Sequence, residues 1–202
     1  APLDELNAFR SAAQRRLILE EFFRFQVGLL LRRREADAER KGHAIRVDDR
    51  IRDALRGVLP FKLTAGQRAA LKQIGEDMQR PQPMNRLLLG DVGTGKTVLA
   101  LLASVAAQAT GGLTALLAPT ELLVQQHLAS LARLLAPTSY RPAVLSGSLP
   151  EREKTDVRGA LEAGAARLVV GTHALLQDVT AFAHLGLVVI DEQHRFGVAQ
   201  RQ

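Results

Sequence analysis

Apolar residues recur at helical spacing over residues 11–40. Ile18, Phe22, Phe25 and Leu29 share one face, and Leu19, Phe23 and Leu30 widen it. Arg32, Arg33 and Arg34, then Glu35, Asp37, Glu39 and Arg40, make a charged continuation. The pattern predicts one long helix, whose apolar face needs a cover from the domain that follows or from one outside these residues. Gly42 breaks the pattern. Asp48 or Asp49 is placed to cap a short helix bearing Ile51, Leu55 and Leu59, and Pro60 stops it. The boundary between a helical linker, residues 1–59, and a main domain, residues 60–202, is expected there.

Beyond Pro60 the pattern alternates. Thr64-Ala65-Gly66-Gln67 reads as a capping box that opens a helix to about Arg80, ended by Pro81 and Pro83. The run 86–89 predicts a buried strand. Helix 96–109, strand 113–118, helix 121–135, strand 142–146 and helix 151–163 follow. Strand 167–171, a short helix near 173–178 and strand 186–191 complete the series. The strands are continuous apolar runs, such as Leu187-Val188-Val189-Ile190, as parallel strands covered on both faces require. The expected fold class is α/β with a parallel β-sheet, preceded by an α-helical linker.

Composition narrows the functions. The 202 residues are 47% hydrophobic, enough for one good core and a smaller attachment. No apolar run reaches the roughly 18 residues of a membrane span, and residues 1–30 lack the layout of a signal peptide. Cysteine is absent, which removes disulfides and thiol chemistry and fits a cytoplasmic protein. The net charge of +6 permits a polyanionic partner, but it is spread evenly. Residues 1–58 carry 13 basic and 10 acidic side chains, residues 59–202 carry 14 and 11, so no dense basic arm exists. Aromatic content of 4% without Trp leaves few platforms for stacking single-stranded bases.

Chemistry enters with Gly90-Asp91-Val92-Gly93-Thr94-Gly95-Lys96-Thr97, which is G-x-x-x-x-G-K-T, the phosphate-binding P-loop. Glycines let backbone N–H groups converge on phosphate oxygens, and the helix that follows adds its positive dipole end. Lys96 supplies a cation for the β- and γ-phosphates of ATP, and Thr97 a hydroxyl for Mg²⁺. Strand 187–190 ends in Asp191-Glu192-Gln193-His194. An acid leaving a buried strand is where a P-loop enzyme organises its metal, so Asp191 takes that role and Glu192 that of polarising the attacking water. Other P-loop classes fail. Asn7 and Asn85, the only asparagines, are not followed by Lys, so the guanine reader Asn-Lys-x-Asp is missing. Leu145-Ser146-Gly147-Ser148-Leu149 departs from the transporter signature Leu-Ser-Gly-Gly-Gln at its last two positions.

Asp-Glu-x-His after a P-loop resembles the superfamily-2 helicases of the DExH type, over residues 60–202. Pro119 and Thr120 in Ala118-Pro119-Thr120-Glu121-Leu122-Leu123 look like motif Ia. Ser146-Gly147-Ser148 resembles the next block, and Gly171-Thr172-His173-Ala174-Leu175 looks like motif Ib. Phe61-x-Leu63-Thr64-x-x-Gln67 resembles the Q motif, which in the family reads adenine; capping alone also accounts for Gln67. The resemblance implies a RecA-like first motor domain of an ATP-dependent DNA helicase. Within the family, Gly90-Asp91-Val92-Gly93, Asp191 through Val198 and the helix from Leu19 through Arg33 are similar to the bacterial branch that remodels stalled forks and Holliday junctions in recombination and repair. The duplex translocase motor of the transcription–repair coupling factor is the alternative, and a non-catalytic nucleotide-binding scaffold a second. Thr120 and Thr172 are short hydroxyls suited to DNA phosphates, and equally to helix capping. Gly147, Ser148 and Gly171 join them, with His173 adjoining. In the family His194 lies between the nucleotide and nucleic-acid sites and couples them; a core role is the alternative.

The same resemblance implies a wedge domain before these residues and a second RecA-like domain after them. That second domain supplies arginine fingers, each worth about 10³–10⁵ in rate. The 202 residues alone are therefore expected to bind ATP weakly, hydrolyse it barely and unwind nothing. Full-speed DNA-stimulated hydrolysis by this fragment, in a steady-state ATPase assay, is the outcome that contradicts this.

Overall fold

The computed structural model describes residues 3–9, 11–40, 45, 51, 53, 55, 59, 61–91, 93–138 and 140–196. The proposed helix caps Asp48 and Asp49, the breaker Gly42, Pro60, and Val92 of the P-loop lie outside the described residues. The chain divides into two compact units, Ala1–Gly42 with Pro81–Met84, and His43–Arg80 with Asn85–Gln202.

The first unit is helical: α1, Leu3–Asn7, and α2, Ala12–Ala38. Ser11 opens α2 as a capping box. Its hydroxyl accepts the Gln14 N–H at 3.3 Å, while Gln14 Oε1 accepts the Ser11 N–H at 3.3 Å. Gln14 Nε2 also donates to the Leu6 carbonyl at 2.9 Å, tying α1 to α2. The apolar positions of α2 are exposed, Phe22 at 63% and Phe23 at 66%.

The second unit holds α3 (Ala65–Gln79), α4 (Lys96–Ala109), α5 (Glu121–Leu135) and α6 (Glu151–Glu162) around four strands. These are β1 (Leu113–Leu117), β2 (Ala143–Leu145), β3 (Leu168–Gly171) and β4 (Leu185–Ile190). Short 3₁₀ turns occupy His173–Leu176, predicted as a helix, and Gln193–Arg195. The strands pair in the order β2-β3-β1-β4, all parallel. Ala115 stands between Val169 and Val188, and Val144 opposite Val170.

Alternate side chains of one strand enter two cores. Leu116 and Ala118, with Leu168 and Val170, meet Leu101, Leu102 and Val105 of α4 and Val124, Leu131 and Leu135 of α5. Leu113, Ala115 and Leu117, with Val169, meet Leu161 of α6, Leu175 and Phe196. Each fully buried Leu contributes on the order of 1.5–3 kcal/mol, so β1 and β3 are held by burial on both faces. β4 departs from the expectation: it is an edge strand, and Leu185 and Val188 are each 46% exposed. Leu55, Leu59, Leu63 and Leu71 pack against the first cluster, and the Ile45 N–H donates to the Met78 carbonyl at 3.0 Å. Leu55 and Leu59, on the linker side of the boundary expected at Pro60, thus contribute to the core of this unit.

One expectation fails. Residues 86–89 form no strand, and Leu87 and Leu89 are 66% and 81% exposed. An apolar run becomes a strand only with a ladder partner. β4 ends the sheet and has one edge that no described strand occupies, but 86–89 does not pair with it. Arg86 is instead held from α3, bonding Asp77 Oδ2 at 2.6 Å and Gln73 Oε1 at 2.9 Å.

Gly171 is fixed by space at the end of β3. A Cβ there would lie 2.0 Å from the Leu145 carbonyl oxygen and 2.9 Å from the Leu175 side chain. Gly171→Ala is expected to destabilise by about 3 kcal/mol, because backbone cannot yield as a side chain does. Gly66→Ala, with nothing within 4 Å, is expected to be neutral or mildly stabilising. Denaturant midpoints of the two variants check the contrast.

Candidate functional site

Parallel pairing sends every loop that follows a strand to one edge of the sheet. Pro119 and Thr120 follow β1, Gly147 and Ser148 follow β2, Gly171 and Thr172 end β3, and Asp191 and Glu192 follow β4.

The P-loop reaches α4 through two left-handed glycines, Gly93 at φ +82° and Gly95 at φ +86°. Only Gly takes these angles at little cost. Thr94 folds over the loop, its hydroxyl donating to the Asp91 carbonyl at 2.8 Å. Lys96 Nζ donates to the carbonyls of Gly90 at 2.6 Å and Asp91 at 2.9 Å, so the ammonium lies across its own loop. Thr97 follows in the first turn of α4, partly buried.

Gln67 performs the capping role. Its Oε1 accepts the Thr64 N–H at 2.9 Å, and the Thr64 hydroxyl accepts the Gln67 N–H at 3.2 Å. Its Nε2 donates to the Thr94 carbonyl at 2.9 Å, which pins the start of α3 to the P-loop. A Cβ on Gly95 would fall 2.5 Å from that same Nε2.

Asp191 continues the β4 ladder, its N–H donating to the Leu117 carbonyl at 2.9 Å. Both carboxylate oxygens have partners. Oδ1 accepts the Glu192 N–H at 3.0 Å, and Oδ2 lies 2.7 Å from His127 Nε2. The His127 hydrogen bond holds the carboxyl below its ordinary value against the opposing cost of burial, and the Glu192 N–H and the Lys96 charge act in the same direction. The Lys96 charge is the smallest of these influences, and the ammonium itself is bonded to its own loop. Glu192 is exposed, at φ +50°. His194 lies in the 3₁₀ turn Gln193–Arg195. Phe196 anchors that turn in the second core at 6% exposure.

The nucleic-acid candidates divide. Thr120, Gly147, Ser148 and His173 are exposed, and Pro119 is partly so. The Thr120 hydroxyl accepts the Leu123 N–H at 3.3 Å and so caps α5. Thr172 is 3% exposed, and its hydroxyl has no partner among the described residues. The group expected to meet a phosphate is thus turned away from solvent, because the close packing at Gly171 draws this segment inward.

Two residues escaped the sequence reading. Glu121 grips the loop after β2, accepting from Ser148 N at 3.2 Å and Ser148 Oγ at 2.9 Å. His127 is the other, and a histidine standing in the apolar stripe of α5 is a signal that pattern reading passes over.

The family model described as DEAD/DEAH box helicase matches residues 64–202. The chain belongs to this family. The DEAD/DEAH box chain is 44% identical over 200 residues to the ATP-dependent DNA helicase RecG of Aquifex aeolicus, covering 99% of this chain and 25% of that protein. It is 45% identical over 190 residues to the RecG of Streptococcus pneumoniae, covering 94% and 28%. Against that of Escherichia coli K12 it is 40% identical over 200 residues, covering 98% and 29%. The chain spans about a quarter of the length of these relatives. Among solved structures, RecG bound to a three-way DNA junction superposes with a TM-score of 0.81 at 38% identity, covering 92% of this chain and 26% of that one. A hypothetical ATP-dependent RNA helicase from Sulfolobus tokodaii, at 20% identity and TM-score 0.51, shares the fold, over 73% of this chain and 42% of that one. The DEAD/DEAH box domain is thus RecA-like, a parallel sheet with helices on both faces.

Burial opposes ionisation of Glu121, but bonds from Ser146, Ser148 and Gly147 outweigh it and hold the carboxyl below its ordinary value. A depressed acid adds stability above its unfolded pKa and loses it as pH falls through the folded one. Thermal melting between about pH 7 and pH 3 is expected to show Glu121→Gln less stable at neutral pH, with the difference from wild type vanishing toward the acid end.

Proposed function

We propose that residues 60–202 are the first motor domain of an ATP-dependent DNA helicase that remodels branched DNA, and that residues 1–59 are the helical linker to a wedge domain. The single observation that carries this reading is that Asp191, within reach of the Lys96 charge, stands on the sheet edge that also bears the exposed loops at Thr120 and Ser148. Motors that couple hydrolysis to movement along a nucleic acid need both sites on one rigid edge. Similarity to RecG over nearly the whole chain, including the structure with a three-way junction, supports the branched substrate.

Each residue has a physical task. Lys96 exchanges its loop carbonyls for phosphate oxygens, and the Gly93 and Gly95 turns allow the backbone to close around them. Gly90, Asp91 and Thr94 complete that cradle, Val92 is assigned to it by the sequence motif alone, and Gln67 braces it from α3. Asp191 and Thr97 are the side chains that would hold Mg²⁺, which would supply charge neutralisation for the transferring phosphate. Glu192 orients and polarises water, and His194 carries the change toward the DNA. Thr120 and Ser148, with backbone at Pro119, Gly147 and His173, hold sugar-phosphate without reading sequence, while Gly171, buried at the end of β3 with its carbonyl on the Ala118 N–H, positions its loop instead of touching DNA. A second RecA-like domain of the same polypeptide completes the ATP cleft. The protein works in the cytoplasm; among the described residues no helix is long and apolar enough to cross a membrane.

The test is ATP turnover by the full-length parent protein with no DNA, linear duplex and a three-way fork. Strong preference for the fork is expected. Equal stimulation by linear duplex points to a duplex translocase, and no turnover under any condition removes the enzymatic reading. Glu192→Gln in the same protein is expected to lower turnover by about 10²- to 10⁴-fold while ATP remains bound. Unchanged turnover takes Glu192 out of its role.

A further inference from the structure

The inward face of α5 runs Val124, His127, Leu131, Leu135, each at 9% exposure or less. Three of the four are apolar and pack in the first core cluster. A leucine at 127 would satisfy that stripe, whereas an imidazole carries a polar nitrogen that costs free energy to bury without a partner. Its described partner is Asp191, at 2.7 Å and 64 positions away in the chain. A local rule broken at a buried position is what a functional requirement leaves behind.

The rest of α5 shows what is connected. Thr120 caps the helix, and Glu121 in its first turn holds Ser148 of the neighbouring loop. His127 stands two turns further on, roughly 10 Å along the axis. One helix therefore touches the loop after β1, the loop after β2 and the acid after β4.

We propose that His127 is a positioning residue: it orients the Asp191 carboxylate toward the metal site and makes α5 the rigid link between nucleotide and DNA phosphate loops. The inference rests on the proposed function, because it needs Asp191 to organise Mg²⁺ and the Thr120 and Ser148 loops to hold DNA. With Oδ2 on His127 and Oδ1 on the Glu192 N–H, the carboxylate has one orientation relative to α5. A shift of α5 on DNA binding moves Asp191 with it, and a shift of Asp191 is felt at Thr120 and Ser148.

The test uses the full-length parent protein with His127→Leu, which keeps the apolar packing and removes the bond, and His127→Gln, whose amide N–H restores a donor near Nε2. Two binding readouts serve. One is the Mg²⁺ concentration at half-saturation of a fluorescent non-hydrolysable ATP analogue. The other is the change that analogue causes in affinity for a labelled three-way junction. His127→Leu is expected to raise the Mg²⁺ requirement by about tenfold and to erase most of the affinity change, with His127→Gln recovering much of both. A purely structural histidine would move the melting temperature and neither readout. If His127→Leu does not fold, His127→Asn, polar but too short to reach Asp191, replaces it. Wild-type coupling together with an unaffected variant overturns the inference alone. Wild-type protein without Mg²⁺-dependent nucleotide binding overturns the proposed function, and the inference with it.

Discussion

Parallel hydrogen bonding of β1 to both β3 and β4 is the constraint on which the rest depends. It aligns the C-terminal ends of the strands, so that loops distant in sequence arrive at one edge without further instruction. It also forces helical crossovers, and those helices cover both faces of the sheet. Backbone bonds carry the alignment past the strand ends. The Ala118 N–H reaches the Gly171 carbonyl, and the Asp191 N–H reaches the Leu117 carbonyl, each at 2.9 Å. The loops that bear chemistry thus start from fixed positions.

Side chains then knit the loops together at a finer scale. Gln67 ties α3 to the P-loop, Glu121 ties the loop after β1 to that after β2, and His127 ties α5 to Asp191. Each uses a polar group on a helix to fix a loop, which places precision on the scaffold and leaves Thr120, Ser148 and Glu192 exposed for ligands.

Much of this was legible in the sequence because the signals are local. Thr64 and Gln67 announce a capping box three residues apart, and both halves form. The P-loop declares its glycines, and α4 and α5 begin and end at the residues their patterns predict. What escaped was relational. Leu87, Leu88 and Leu89 satisfy a strand pattern, but a strand is defined by its neighbour, and no described strand pairs there. Thr172 has the right residue type on the right loop, yet packing around Gly171 turns its hydroxyl inward. His127 needed knowledge that α5, which packs on β3, brings this residue to the acid that follows β4. Ser11 and Gln14, by contrast, carried an open capping signal that the long apolar run of α2 overshadowed.

The bonds of Lys96 to Gly90 and Asp91 bear on how fast a ligand leaves. The ammonium is already solvated by its own loop, so an arriving phosphate replaces two carbonyls instead of meeting a bare charge. On departure the same carbonyls recapture the ammonium within the molecule, at an effective concentration no free anion matches. Such internal competition weakens every bound phosphate by a similar amount. In the proposed motor, spent product and fuel would both meet this competitor, which suits a machine that must reset between steps.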